Sequence, residues 1–273
     1  MIPDFAVVII SMITLSIVFF IPDKISNKKK RVETNIQEKG GQVVIKTLLL
    51  TLFMVFLLST IVYMLKHHLA LLNLIFIGVG TALGFIVLNR VTKFIIGEKK
   101  AEVVRPILIL ISLLLSSLWY VAPSYITYNL YGFISILGVL IKVNEENISR
   151  DNLIAWIAAS VIYDLYFMFI SGTQNTAVDN SLPLVFHIPT VSDGAIPRWM
   201  VGTADFIWPG TIILKAIENN LGPATILAWL AAMIIGISIS FTLYIPIPLL
   251  IINVPVTTIA LFASLKKRKL KLI

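Results

Sequence analysis

The stretch Asn152–Ser171, NLIAWIAASVIYDLYFMFIS, carries a single charged residue, Asp164. At about 1.5 Å of rise per residue a helix over this stretch reaches about 30 Å, the thickness of the hydrocarbon core of a bilayer. So apolar a run predicts a membrane-spanning helix. The acid inside it predicts a use, because a charge near the bilayer centre costs about 2.5–3.5 kcal/mol on insertion scales.

Extending the same test outward gives nine windows: about 5–21, 43–65, 69–88, 105–122, 124–142, 152–171, 199–217, 221–243 and 246–264. Composition agrees. The chain has 273 residues, 58% of them hydrophobic and 13% charged, with a mean hydropathy of +0.94. A soluble domain of this length cannot bury so much apolar surface, so lipid must cover part of it. The apolar runs lack the alternation that a barrel strand needs, and backbone groups in lipid must otherwise be satisfied within helices. The expected fold is therefore an all-α membrane protein, with nine transmembrane helices in one bundle. Residues 1–150 are expected to form a scaffold of the first five, and 151–273 to carry the remaining four.

Charge supplies the orientation. Of the 22 Lys and Arg residues, only Lys66 and Arg198 fall on one side of the nine spans; the rest fall on the other. Basic loops stay in the cytoplasm, so the N-terminus is expected outside and the C-terminus inside a multi-pass protein of the cell membrane. The net charge of +8 is thus explained by topology and by anionic headgroups, and no nucleic-acid partner is implied. There is no cysteine, which excludes disulfides, thiolate metal sites and thiol nucleophiles. The first span has no basic residue before it and no small-residue cleavage site after it, so it is expected to be retained.

Of the 14 acidic residues, only Asp164 and Asp205 lie well inside apolar windows. Asp164 lies seven residues before Ser171 and Asp205 six after Trp199. In antiparallel helices, both would sit about 9–11 Å below the outer end. If those helices are neighbours, two carboxylates share one depth. In low dielectric both cannot ionise easily, so the pair is expected to hold one proton between them. One carboxylate can then deprotonate a water while the other polarises an amide carbonyl, with no metal and no cofactor. From the carboxylates alone, peptide hydrolysis, a proton relay in a transporter and a structural hydrogen-bonded pair all stay open.

The flanking residues separate these. Tyr163-Asp164 stands in one span and Gly202-Thr203-Ala204-Asp205-Phe206-Ile207-Trp208-Pro209-Gly210 in the next. Pro248-Leu249-Leu250 stands in the last apolar stretch. In order and separation these resemble the signal peptide peptidase and presenilin family of intramembrane aspartyl proteases, over residues 152–256. The resemblance implies that Asp164 and Asp205 are catalytic and that Tyr163, Gly202, Thr203, Ala204 and Phe206 support them. It implies that Pro248, Leu249 and Leu250 bind substrate, and that the fold is presenilin-like. Pro255 keeps the spacing of the peptidase branch, and residues 182–189 resemble the apolar segment ahead of its second aspartate. An outside N-terminus also fits that branch. It implies transmembrane substrates with a cytoplasmic N-terminus, such as type II membrane proteins or remnant signal peptides. Two positions depart from the family pattern: Ala204 stands where glycine is usual, and Leu249 where alanine is usual. Both changes are modest in size and are expected to narrow the space beside Asp205.

Gly202, one turn before Asp205 on a helix, is expected to allow a close backbone approach, either by substrate or by a packed helix. Pro246 and Pro248 free carbonyls that an extended segment can pair with, or simply kink the helix. A helical substrate hides its amides, so part of the polar segment 172–198 is expected to form a short strand that pairs with unwound substrate or acts as a gate. Gly80 and Gly84 predict a small-residue packing face. His67-His68 reads as interfacial, Asn147-Ile148-Ser149 as a chance sequon, and residues 266–269 as a headgroup anchor. Trp199 and Trp208 fit either an interfacial or a core position. Rival proteases fail on content: no histidine is followed by glutamate, as His-Glu-x-x-His requires, and Ile170-Ser171-Gly172 lacks the leading glycine that a serine protease of the rhomboid type needs. The alternative function is a proton-coupled transporter using the same aspartates, which an inverted repeat would favour; none is evident. Oligomeric state is left open.

Overall fold

The computed structural model describes residues 19–22, 40–65, 67–146, 150–169, 185–188, 199–243 and 249–267. Most of the first expected span, Pro248, the sequon and residues 175–180 lie outside the described residues. The described chain runs α1 (Gly40–Leu65), α2 (Leu69–Ile96), α3 (Glu98–Val121), α4 (Tyr125–Glu146), α5 (Arg150–Phe169), β1 (Val185–Ile188), β2 (Trp199–Gly202), α6 (Ala204–Glu218), α7 (Gly222–Leu243) and α8 (Leu250–Lys267). Among the described residues, five helices are long and apolar enough to cross a membrane: α2, α3, most of α4, most of α7, and α8. This is an all-α membrane protein, with one two-stranded hairpin among the described residues.

The chain divides into two compact units. One holds α2, α3, α4 and the hairpin; the other holds α1, α5, α6, α7 and α8. In the first, the small residues of α2 do what the sequence predicts. A Cβ on Gly80 would strike the Tyr131 ring and lie 2.9 Å from Ser116 Cβ, and one on Gly84 would lie 3.4 Å from Ser112 Cβ. Gly80 and Gly84 on α2 therefore meet Ser112 and Ser116 on α3, one small-residue face against another. A pair of hydroxyls ties the contact, Thr81 Oγ1 and Ser116 Oγ at 2.7 Å, and Tyr131 of α4 donates to the Phe76 carbonyl of α2 at 2.6 Å.

The expected loop of residues 89–104 is helical instead. α2 runs on to Ile96 and α3 starts at Glu98, broken only by Gly97 at φ +84°. Glycine alone takes that backbone without strain. Lys93 pairs with both Glu98 and Glu102 at 3.2 Å and Arg105 with Glu102 at 3.4 Å, so charges there pair where the two helices meet. At the α3–α4 turn the Ser124 and Thr127 side chains each accept the other's backbone N–H, at 3.2 and 3.0 Å, a reciprocal cap.

A second expectation is corrected at residues 199–202, which form a strand and not the start of a helix. β1 pairs with β2 antiparallel, Val185 opposite Gly202 and Ile188 opposite Trp199. The run Trp199-Met200-Val201 suits a pleated strand, and a partner with the same bias, Val185-Phe186-His187-Ile188, is close in sequence. Gly202 therefore does not share a helical face with Asp205. β1 falls inside the segment expected to hold a short strand, and its observed partner is β2.

Candidate functional site

In the second unit, α6 packs against α5, α7 and α8. α1 joins α5 through Thr47 Oγ1, which donates to Asn152 Oδ1 at 2.8 Å, and through the rings of Phe56 and Tyr166 at 4.6 Å. Asp164 lies on α5. Asp205 lies in the first turn of α6, because the helix begins only at Ala204. The sequence placed it six residues into a helix, so the equal-depth estimate no longer follows from helix geometry for Asp205.

What holds each aspartate is specific. α6 contains Pro209, which has no N–H to give the carbonyl four residues back, that of Asp205. The indole of Trp229 on α7 takes that place: Nε1 donates to the Asp205 carbonyl at 3.3 Å. Trp229 is fully buried, and its ring packs on Phe206 at 5.5 Å between centroids. The Asp205 backbone is thereby fixed by a neighbouring helix, and its side chain is buried.

Asp164 is fixed from α8. The Leu250 N–H donates to Asp164 Oδ2 at 2.9 Å, and the Ile251 N–H is directed at the same carboxyl group. Leu250 is the first helical residue, and the Leu249 carbonyl accepts from Ile252 and Asn253, at 3.0 and 2.8 Å. Leu249 thus occupies the cap position with a side chain that cannot cap. A carboxylate from another helix supplies the acceptor, where the helix dipole also favours negative charge.

The chain matches no family model and no curated protein.

Tyr163 lies within electrostatic reach of both carboxylates, so Asp164 and Asp205 share one neighbourhood of this unit. Its ring lies 6.5 Å from Trp208, which packs edge-on against Trp156 at 5.2 Å. The structure therefore gathers Tyr163, Asp164, Asp205, Phe206 and the start of α8 in one unit. Leu250 is brought to the site by its backbone. The Leu249 side chain packs over Gly236 of α7, where an added Cβ would lie 2.6 Å from Leu249 Cδ2. Gly202, Thr203 and Ala204 form the passage from β2 into α6, each partly exposed. Pro248 lies outside the described residues. Nothing local in the sequence marks Trp229, and Trp208 there fits either an interfacial or a core position. Pro209 was the available signal for Trp229, because a proline four residues after Asp205 orphans that carbonyl and demands a donor from elsewhere. Among the described residues, no cluster of His, Asp and Glu is arranged to hold a metal.

Proposed function

We propose that this chain is an intramembrane aspartyl endopeptidase, similar to the signal peptide peptidase branch, with Asp164 and Asp205 as its catalytic pair. The observation that carries the proposal is that Asp164 of α5 and Asp205 of α6, two packed helices, both lie within electrostatic reach of Tyr163, with the start of α8 bonded to Asp164. A water between two such carboxylates can be deprotonated by one while the other donates to the scissile carbonyl. The proton they share returns to its starting arrangement when the amine leaves. Asp205 is buried where α6 packs against α5, α7 and α8, and a lower local dielectric strengthens charge interactions there.

Substrates are transmembrane segments, and lipid is the medium that presents them. A basic, cytoplasmic C-terminus and an outside N-terminus favour type II membrane proteins or remnant signal peptides. β2 continues through Thr203 into the helix that bears Asp205.

The test is cleavage of a fluorescent transmembrane peptide by the full chain in liposomes. Activity is expected for the wild type and is expected to vanish in Asp164→Asn and in Asp205→Asn. If either variant retains wild-type cleavage, the proposal fails. A C-terminal reporter found outside the cell would overturn the orientation.

A further inference from the structure

α7 carries the seats of both acids along one face. Trp229, whose indole holds the Asp205 carbonyl at 3.3 Å, stands one turn from Met233, and Met233 stands one turn from Gly236. Gly236 receives the Leu249 side chain at the start of α8, the helix whose Leu250 N–H holds Asp164 at 2.9 Å. Between these two seats the Asn253 amide of α8 donates from Nδ2 to Met233 Sδ at 2.7 Å. Asn253 and Met233 are both fully buried.

This contact is a poor choice for stability alone. A thioether sulfur is a weak acceptor. The other atom of the amide, Oδ1, is buried with no hydrogen-bond partner among the described residues. An unsatisfied buried acceptor opposes folding, and a leucine, close to asparagine in shape, would fill the same place at no such cost. What the amide adds is register. Apolar side chains can slide past one another with little change in energy, whereas a buried polar group meets its partner at one setting of the two helices.

We infer that Asn253 is a positioning residue: it sets α8 along α7, and through the first turn of α8 it sets Asp164 relative to Asp205. This rests on the peptidase reading. Leu250 stands one turn before Asn253, so a shift of α8 carries with it the Leu250 N–H and the Asp164 carboxylate bonded to that N–H. Asp205 stays with Trp229 on α7. Two acids that act on one water tolerate little change in spacing: a displacement of about 1 Å can cost about 100-fold in rate.

The experiment uses the full chain in liposomes with a fluorescent transmembrane peptide, and follows kcat, KM and thermal unfolding in detergent. Asn253→Leu is expected to unfold no earlier than the wild type and yet to lose about tenfold in kcat, with KM little changed. Thr257→Val is the comparison: Thr257 is also fully buried, one turn on, but its hydroxyl donates to the Asn253 carbonyl within α8. That variant is expected to keep kcat within about twofold of the wild type. Asn253→Leu with the wild-type kcat, a change confined to KM, or an equal loss of kcat in Thr257→Val overturns the assignment and leaves the peptidase reading intact. Should Asn253→Leu not fold, Met233→Leu decides, because it removes the acceptor and keeps the amide: a kcat within about twofold of the wild type overturns the assignment. A wild type that cleaves no peptide, behaving like Asp205→Asn, removes the peptidase reading and this role together.

Discussion

Asp164 Oδ2 accepts a hydrogen bond from the Leu250 N–H at 2.9 Å, across 86 positions of the chain. The bond makes a carboxylate on α5 the cap of α8. It follows that the geometry of the first proposed catalytic acid depends on a backbone atom of the Pro-Leu-Leu stretch. The stretch acts here through its main chain, whatever its side chains also do.

Leu250→Pro tests that dependence. Proline is tolerated at the first position of a helix, where its missing N–H has no intrahelical partner. Leu250→Ala keeps the donor and loses only the buried side chain. Loss of a hydrogen bond to a charged group is worth about 1.5–3 kcal/mol, or roughly 10–100-fold. Cleavage is expected to fall by that factor in Leu250→Pro relative to Leu250→Ala, at matched expression. Equal kcat in the two variants would dismiss the backbone role.

Trp229→Phe is expected to leave the ring against Phe206 but to strip the Asp205 carbonyl of its donor. An unsatisfied buried carbonyl costs about 1–3 kcal/mol. Thermal unfolding in detergent should show that loss. Restoring the orphaned donor with Pro209→Ala in the same chain should recover most of it, because alanine returns the N–H that proline lacks. A double variant no more stable than Trp229→Phe would mean that the indole holds something other than this carbonyl.

Tyr163→Phe preserves the ring beside Trp208 and removes a phenol within electrostatic reach of both carboxylates. Peptide cleavage is expected to drop several-fold in kcat with KM little changed, because a polar group near the reacting carboxylates is lost. A rise in KM at constant kcat would instead assign Tyr163 to substrate binding.

Gly80→Leu probes the other unit. The added side chain would enter the Tyr131 ring and press on Ser116 Cβ, already 2.9 Å from the site of a Cβ. Overpacking of this kind costs about 1–3 kcal/mol. The melting temperature should fall, whereas Gly78→Leu, where a Cβ meets nothing within 4 Å, should leave it in place.

The helices were legible because lipid imposes one rule on every span: a long apolar run whose backbone satisfies itself. That rule located the helices from α1 to α8 within a few residues at most ends, and the small face Gly80-Gly84 with them. It failed at residues 199–202, where hydropathy cannot tell a buried strand from a helix and the pairing with Val185–Ile188 decided the outcome. It failed again at residues 89–104, where charges that look like a loop are paired along helices.

Of the candidate site, residue types and their order were readable from the chain: two acids within apolar runs, a tyrosine beside one, a proline four residues beyond the other. Which atoms meet was not. A cap supplied by Asp164 to α8 and a donor supplied by Trp229 to Asp205 join residues far apart in sequence, and no local pattern records such a pair. The sequence determined that these polar groups would lie among helices and need partners, because burial makes an unpaired group costly. Only the packing of α5, α7 and α8 around α6 decided which partners they found.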